Sequence, residues 1–104
     1  FGFQIVNTSD IMYLEADSNY TILHLSGLKK IVASRTMGDF EKILDQSSFF
    51  RIHKSIIINI NYLKAYSSYE GNFVELNDGT SLSISRRRLP EFREAIKLFT
   101  KSLD

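Results

Sequence analysis

The sequence predicts a mainly β fold with two short helices, and three observations carry that expectation. Apolar and polar residues alternate with a period of two through most of the first 35 positions. Turn-forming pairs such as Ser26-Gly27 and Asp78-Gly79 punctuate the chain, and helical periodicity is confined to one segment near the middle and one at the end. The 104 residues, 43% apolar, suffice for one domain spanning 1–104 with its own core. A charged content of 24% with 12% aromatics is far from the composition of a disordered chain.

The elements follow in order. Ile11, Tyr13 and Glu15 are expected to oppose Met12, Leu14 and Ala16 on a first strand. Asp17-Ser18-Asn19 turns the chain into a second strand, Tyr20 to Leu25, and Ser26-Gly27 turns it into a third at Lys29 to Ser34. A helix capped by Thr36 or Ser34 and running to about Gln46 would bury Met37, Phe40, Ile43 and Leu44 and expose Asp39, Glu41, Lys42 and Asp45. Phe49 to His53 and Ser55 to Ile60 read as strands, and the isoleucine run is too continuous for a strand with one wet face, so it is expected to cross the middle of the core. Asn61 starts a bend. Tyr62 to Tyr66, Phe73 to Leu76 and Ser81 to Ile84 read as further strands, the last two joined by a turn at Asn77-Asp78-Gly79 that needs positive φ. Pro90 suits the first turn of a final helix whose apolar stripe is Leu89, Phe92, Ile96, Phe99 and Leu103.

Most catalytic chemistries find no purchase. With no cysteine there is no disulfide, thiolate or cysteine-based metal site, and a reducing, cytoplasmic setting is the expectation. His24 and His53 have no neighbour at metal-ligand spacing, the five glycines form no phosphate-cradling loop, and no serine sits in a nucleophile elbow. Glu15, Asp17, Glu91 and Glu94 are read as solvated, capping or structural carboxylates. No enzyme activity, metal, cofactor or small-molecule substrate is expected, and no apolar run reaches the length of a membrane span. A start at Phe1 without Met reads as part of a longer protein.

The net charge of +1 hides an uneven distribution. No acidic residue lies between Gln46 and Tyr69, where Arg51, Lys54 and Lys64 stand, and Arg86-Arg87-Arg88 directly follows a strand. Arginine forks can grip phosphates or read a guanine edge; the alternative is a solvated strand end paired with Glu91 or Glu94. Neither helix suits groove reading, since the first exposes carboxylates and the second balances its charges.

Ile11-Met12-Tyr13-Leu14-Glu15-Ala16 with Asn19-Tyr20-Thr21, Phe50-Arg51-Ile52-His53-Lys54-Ser55 with Asn59, and Asp78-Gly79 leading to Ile84-Ser85-Arg86-Arg87 resemble the motifs of LytTR DNA-binding domains. The resemblance spans about 90 positions, the second motif being the most specific. It implies an elongated fold of about ten strands in packed sheets with one or two short helices, the output half of a bacterial two-component response regulator. It further implies sequence-specific binding of double-stranded DNA for transcription regulation, with loops in successive major grooves. By motif position, Asn19 or Tyr20, Lys54 and Arg87 would read bases, and Arg51, Ser55, Ser85, Arg86 and Arg88 would contact phosphates or support the loops. Direct-repeat sites and a homodimer formed through a receiver domain outside this chain are further expectations of the resemblance. His53 is expected to bond a backbone carbonyl, Asn59 to satisfy a turn, and Glu15 to be a structural hydrogen-bond partner. The competing reading is a β-rich protein-interaction or single-stranded nucleic-acid-binding module that offers Tyr20, Tyr62, Tyr66 and Tyr69 as stacking surfaces.

Overall fold

The computed structural model describes residues 4–100, excepting the side chains of 98–100. Ile11–Asp17 (β1), Tyr20–Leu25 (β2) and Lys29–Ala33 (β3) form the expected antiparallel meander. Met37–Ile43 (α1) leads to a hairpin of Phe49–His53 (β4) and Ile56–Asn59 (β5). Leu63–Ser67 (β6), Phe73–Leu76 (β7), Ser81–Ser83 (β8) and the helix Leu89–Thr100 (α2) complete the described chain. A five-stranded sheet has the order β3-β2-β1-β5-β4, and a three-stranded sheet the order β6-β7-β8. The described residues hold eight strands rather than about ten. Asn7 and Asn59 each accept from the amide two residues on and wind 8–10 and 60–62 into 3-10 turns, which replace extended backbone there.

Two apolar clusters lie on opposite sides of the larger sheet. Leu14, Leu23, Phe49 and Ile57 pack with Met37, Phe40 and Leu44, the last just beyond the end of α1. Ile52 and Ile58 pack with Val74, Ile84 and Phe92, which come from the smaller sheet, the segment after it and α2. Successive strand residues point to opposite faces, so Ile57 belongs to one cluster while Ile56 and Ile58 join the other. The isoleucine run therefore lies between two cores, as its continuity predicted.

Local departures have physical causes. The β1 register shifts between Ile11 and Tyr13, and this irregularity puts Ile11 in the same cluster as Leu14 instead of on the opposite face. Thr36, not Ser34, caps α1: its hydroxyl accepts from the Asp39 amide at 3.2 Å, and the Asp39 carboxylate accepts from the Thr36 amide at 3.3 Å. The helix ends at Ile43 rather than Gln46 because Leu44 turns to extended backbone, which leaves Ile43 62% exposed. The Asn77-Asp78-Gly79 turn closes as expected, with the Gly79 amide donating to the Leu76 carbonyl at 2.9 Å and Gly79 at φ +91°. In α2, Leu89, Phe92 and Ile96 face the second cluster. The expected contributions of Phe99 and Leu103 fall outside the described side chains.

β3 is an edge strand that exposes Val32 and carries Lys29 and Lys30. Along its longest axis the molecule measures 48 Å, against 27 and 25 Å across.

Candidate nucleic-acid interface

Strand pairing gathers the candidate residues at one end of the larger sheet. Because β1 runs antiparallel to β5, with Glu15 opposite Ile56, the end of β1 lies beside the start of β5. The turn at Ser18 and Asn19 therefore neighbours the turn at Lys54 and Ser55, and the Ala16 amide ties them by donating to the Ser55 carbonyl at 2.9 Å. The third segment arrives through the Ser85 amide, which donates to the Ile52 carbonyl at 2.8 Å and starts the 3-10 turn Arg86–Arg88 beside β4.

Within this end, Asn19, Tyr20, Lys54, Arg86 and Arg87 are exposed, while Ser55, Ser85 and Arg88 are half-buried. Ser18 adopts φ +55°, which tightens the first turn. In the second turn, His53 Nδ1 accepts from the Ser55 amide at 3.2 Å and lies 2.9 Å from its hydroxyl. This corrects the expectation of a carbonyl partner: the two-residue turn folds Ser55 back within reach of the imidazole. An accepting Nδ1 keeps the ring proton of a neutral histidine on Nε2.

Arg51 is held inward rather than aimed outward. Its Nη1 donates to Glu41 Oε1 at 3.2 Å, and its Nη2 donates to the Lys54 carbonyl. Its Nε is buried without a hydrogen-bond partner. Of the two roles the resemblance implied for Arg51, the geometry is that of a loop support. Arg88 Nη1 stands 3.7 Å from Glu41 Oε2, so the partner of the arginine run is Glu41 on α1, not Glu91 or Glu94. Sequence reasoning missed this carboxylate. Its partners are 10 and 47 residues away in the chain, and only the docking of α1 brings them together.

The supporting polar residues behave largely as expected. Asn59 donates to the Ile11 carbonyl at 3.0 Å and accepts from the Asn61 amide at 3.0 Å. Glu15 pairs with His24 Nε2 at 3.0 Å, while the His24 ring stacks on Tyr13 at 4.0 Å between centroids. Burial, then the charges of Glu15 and Asp78, push the Tyr13 phenol up from its ordinary value. The aromatic surface invoked by the competing reading is smaller than expected. The Tyr62 hydroxyl donates to the Ser9 carbonyl at 2.6 Å, and Tyr66 packs on Phe92 with its hydroxyl on Asn72, leaving Tyr20 and Tyr69 as the exposed rings of the four. Among the described residues no group of three or more His, Asp or Glu is arranged to hold a metal ion, and no helix is long and apolar enough to cross a membrane.

Comparison with known proteins decides the family, since the LytTr DNA-binding domain profile matches residues 2–97. The chain belongs to the LytTr DNA-binding domain family. Its fold matches the solved LytTr domain of a protein from Bacillus cereus described as a methyl-accepting/DNA response regulator. The TM-score is 0.80 at 27% identity, over 88% of this chain and 84% of that one. Among curated proteins, the chain is similar to the transcriptional regulatory protein NatR of Bacillus subtilis, 28% identical over 92 residues. It is also similar to the sensory transduction protein LytT of the same organism, 27% identical over 100 residues, and to the CO-responsive transcriptional regulator RcoM of Rhodospirillum rubrum, 26% identical over 93. These alignments cover 86–90% of the chain but 39% of each relative, so the chain spans about two fifths of the length of the curated proteins it matches. The LytTr assignment makes the chain a DNA-binding domain of the kind used in transcription regulation.

Proposed function

We propose that this LytTr domain recognises specific duplex sequences by placing its three turns in successive major grooves. Asn19 or Tyr20, Lys54 and Arg87 read base edges, while Arg51, Ser55, Ser85, Arg86 and Arg88 contact phosphates or support the turns. The observation that carries the reading is the convergence of the three turns at one sheet end, with Lys54, Arg86 and Arg87 exposed there. A major groove about 12 Å wide admits such projections. The regulatory setting is that of a two-component response regulator in the cytoplasm, acting as a homodimer on direct repeats through a receiver domain elsewhere in the protein. The regulatory part of that reading is supported by the names of NatR, a transcriptional regulatory protein, and LytT, a sensory transduction protein, and by the response regulator whose LytTr domain shares the fold.

The test is fluorescence anisotropy with a duplex selected by the wild-type chain from a randomised pool, and with a scrambled duplex of equal length. Lys54→Ala and Arg87→Ala are each expected to cost about 1–3 kcal/mol on the selected duplex and to lower its preference over the scrambled one. Wild-type discrimination retained in both variants overturns the base-reading assignment. Stronger binding of a single strand than of the matching duplex would favour the competing stacking module.

A further inference from the structure

Glu41 stands on α1, outside all three turns, yet it joins two of them. Its Oε1 holds Arg51, whose other terminal nitrogen holds the Lys54 carbonyl, and its Oε2 faces Arg88 at the end of the arginine run. A single carboxylate is thus the hub of a bridge from the first helix to the second and third turns.

We propose that Glu41 is a positioning residue for DNA recognition, setting the direction of Lys54 through Arg51 and the pose of the Arg86–Arg88 turn through Arg88. The inference rests on the proposed base-reading roles of Lys54 and Arg87.

Three features support it. The Arg51 side chain is only 18% exposed and both its terminal nitrogens are engaged within the protein, so its fork is committed to holding the turn. Fixing the Lys54 carbonyl fixes the peptide from which the Lys54 side chain departs, and with it the arc that the ammonium group can sweep. A carboxylate at a DNA-facing edge repels phosphate unless it is neutralised, and Glu41 stands against two guanidinium groups. The anchor is firm, because α1 carries Met37 and Phe40 into the first core. A decoy role, in which Glu41 merely occupies arginines until phosphate displaces it, predicts the opposite sign on mutation.

Glu41→Gln and Arg51→Lys separate these possibilities. Glutamine keeps the shape and loses the charge; lysine keeps the charge but replaces the rigid two-nitrogen fork that holds Glu41 and the Lys54 carbonyl with a single flexible ammonium. With the selected and scrambled duplexes described above, each variant is expected to lose roughly tenfold or more in affinity for the selected duplex, the size of one charge-assisted hydrogen bond. Affinity for the scrambled duplex should stay at the wild-type level. A merely structural role would lower both affinities together, along with the melting temperature, and would overturn the proposal. So would tighter binding to both duplexes by Glu41→Gln, the signature of a decoy. If Glu41→Gln discriminates as well as wild type while Lys54→Ala does not, the positioning role fails and base reading stands. If the wild type enriches no sequence from the pool, base reading fails and the positioning role falls with it.

Discussion

Asn59 is 2% exposed, and its carboxamide bridges the Ile11 carbonyl on β1 and the Asn61 amide in the 3-10 turn after β5. Asn59→Ala leaves these groups without that partner, and the expected loss is about 2–4 kcal/mol, read as a lower urea midpoint with an unchanged slope. At the surface, Asp78 accepts from the Thr80 amide at 2.9 Å, and that bond, first among several, holds its carboxyl below the ordinary 3.8. The unfolded chain therefore takes up this proton first on acidification. The contribution is complete above pH 3.8 and disappears as pH falls through the lower folded value. Asp78→Ala should accordingly flatten the acid limb of a stability-versus-pH curve and change stability least once the pH has fallen below the lowered folded value of this carboxyl. Legibility at this scale followed chemistry that is local in the chain. The turn role of Asn59 and the bonding of Glu15 could be read from residue type and position. Glu41 could not, because an exposed helical glutamate looks the same in sequence whether it faces water or two distant arginines.

α1 has seven residues, well short of the roughly 12–15 at which an isolated helix becomes even marginally stable in water. It depends on its capping box and on the burial of Met37 and Phe40. Thr36→Ala removes the side-chain half of that box and is expected to cost about 1 kcal/mol, a drop of about 4–8 °C in melting temperature for a domain of this size. A helix start at Thr36 or Ser34 was visible in the sequence, whereas the choice between them and the early stop at Ile43 were not. Apolar spacing continues through Leu44, and only the backbone turning to extended shows that Leu44 reaches the core from outside the helix. The β1 irregularity was hidden for a similar reason: in Ile11-Met12-Tyr13-Leu14 every residue is apolar or aromatic, so no polar position marks where the alternation slips.

Across the whole molecule, β5 is the element both cores share. Ile57 is buried against α1 and Ile58 against the smaller sheet, at 2% and 0% exposure. Ile57→Ala and Ile58→Ala are each expected to cost about 2–5 kcal/mol and to melt the domain in a single transition, as monitored by circular dichroism and by tyrosine fluorescence together. Separate transitions for the two probes would mean that the halves unfold independently. The isoleucine run announced this central place, but the sheet order was beyond reading, because β1 pairs with β5 across an intervening β2, β3, α1 and β4. At the far edge of the same sheet, β3 pairs among the described residues with β2 alone, which leaves its other side without a strand partner there. Lys29 and Lys30 make that edge a poor template, since a second copy docking there in parallel register would bring ammonium groups together, and pairing in either direction would strip them of water. The two lysines thus bear on colloidal behaviour rather than on recognition: they help keep a protein rich in β-strands dispersed when many copies crowd together.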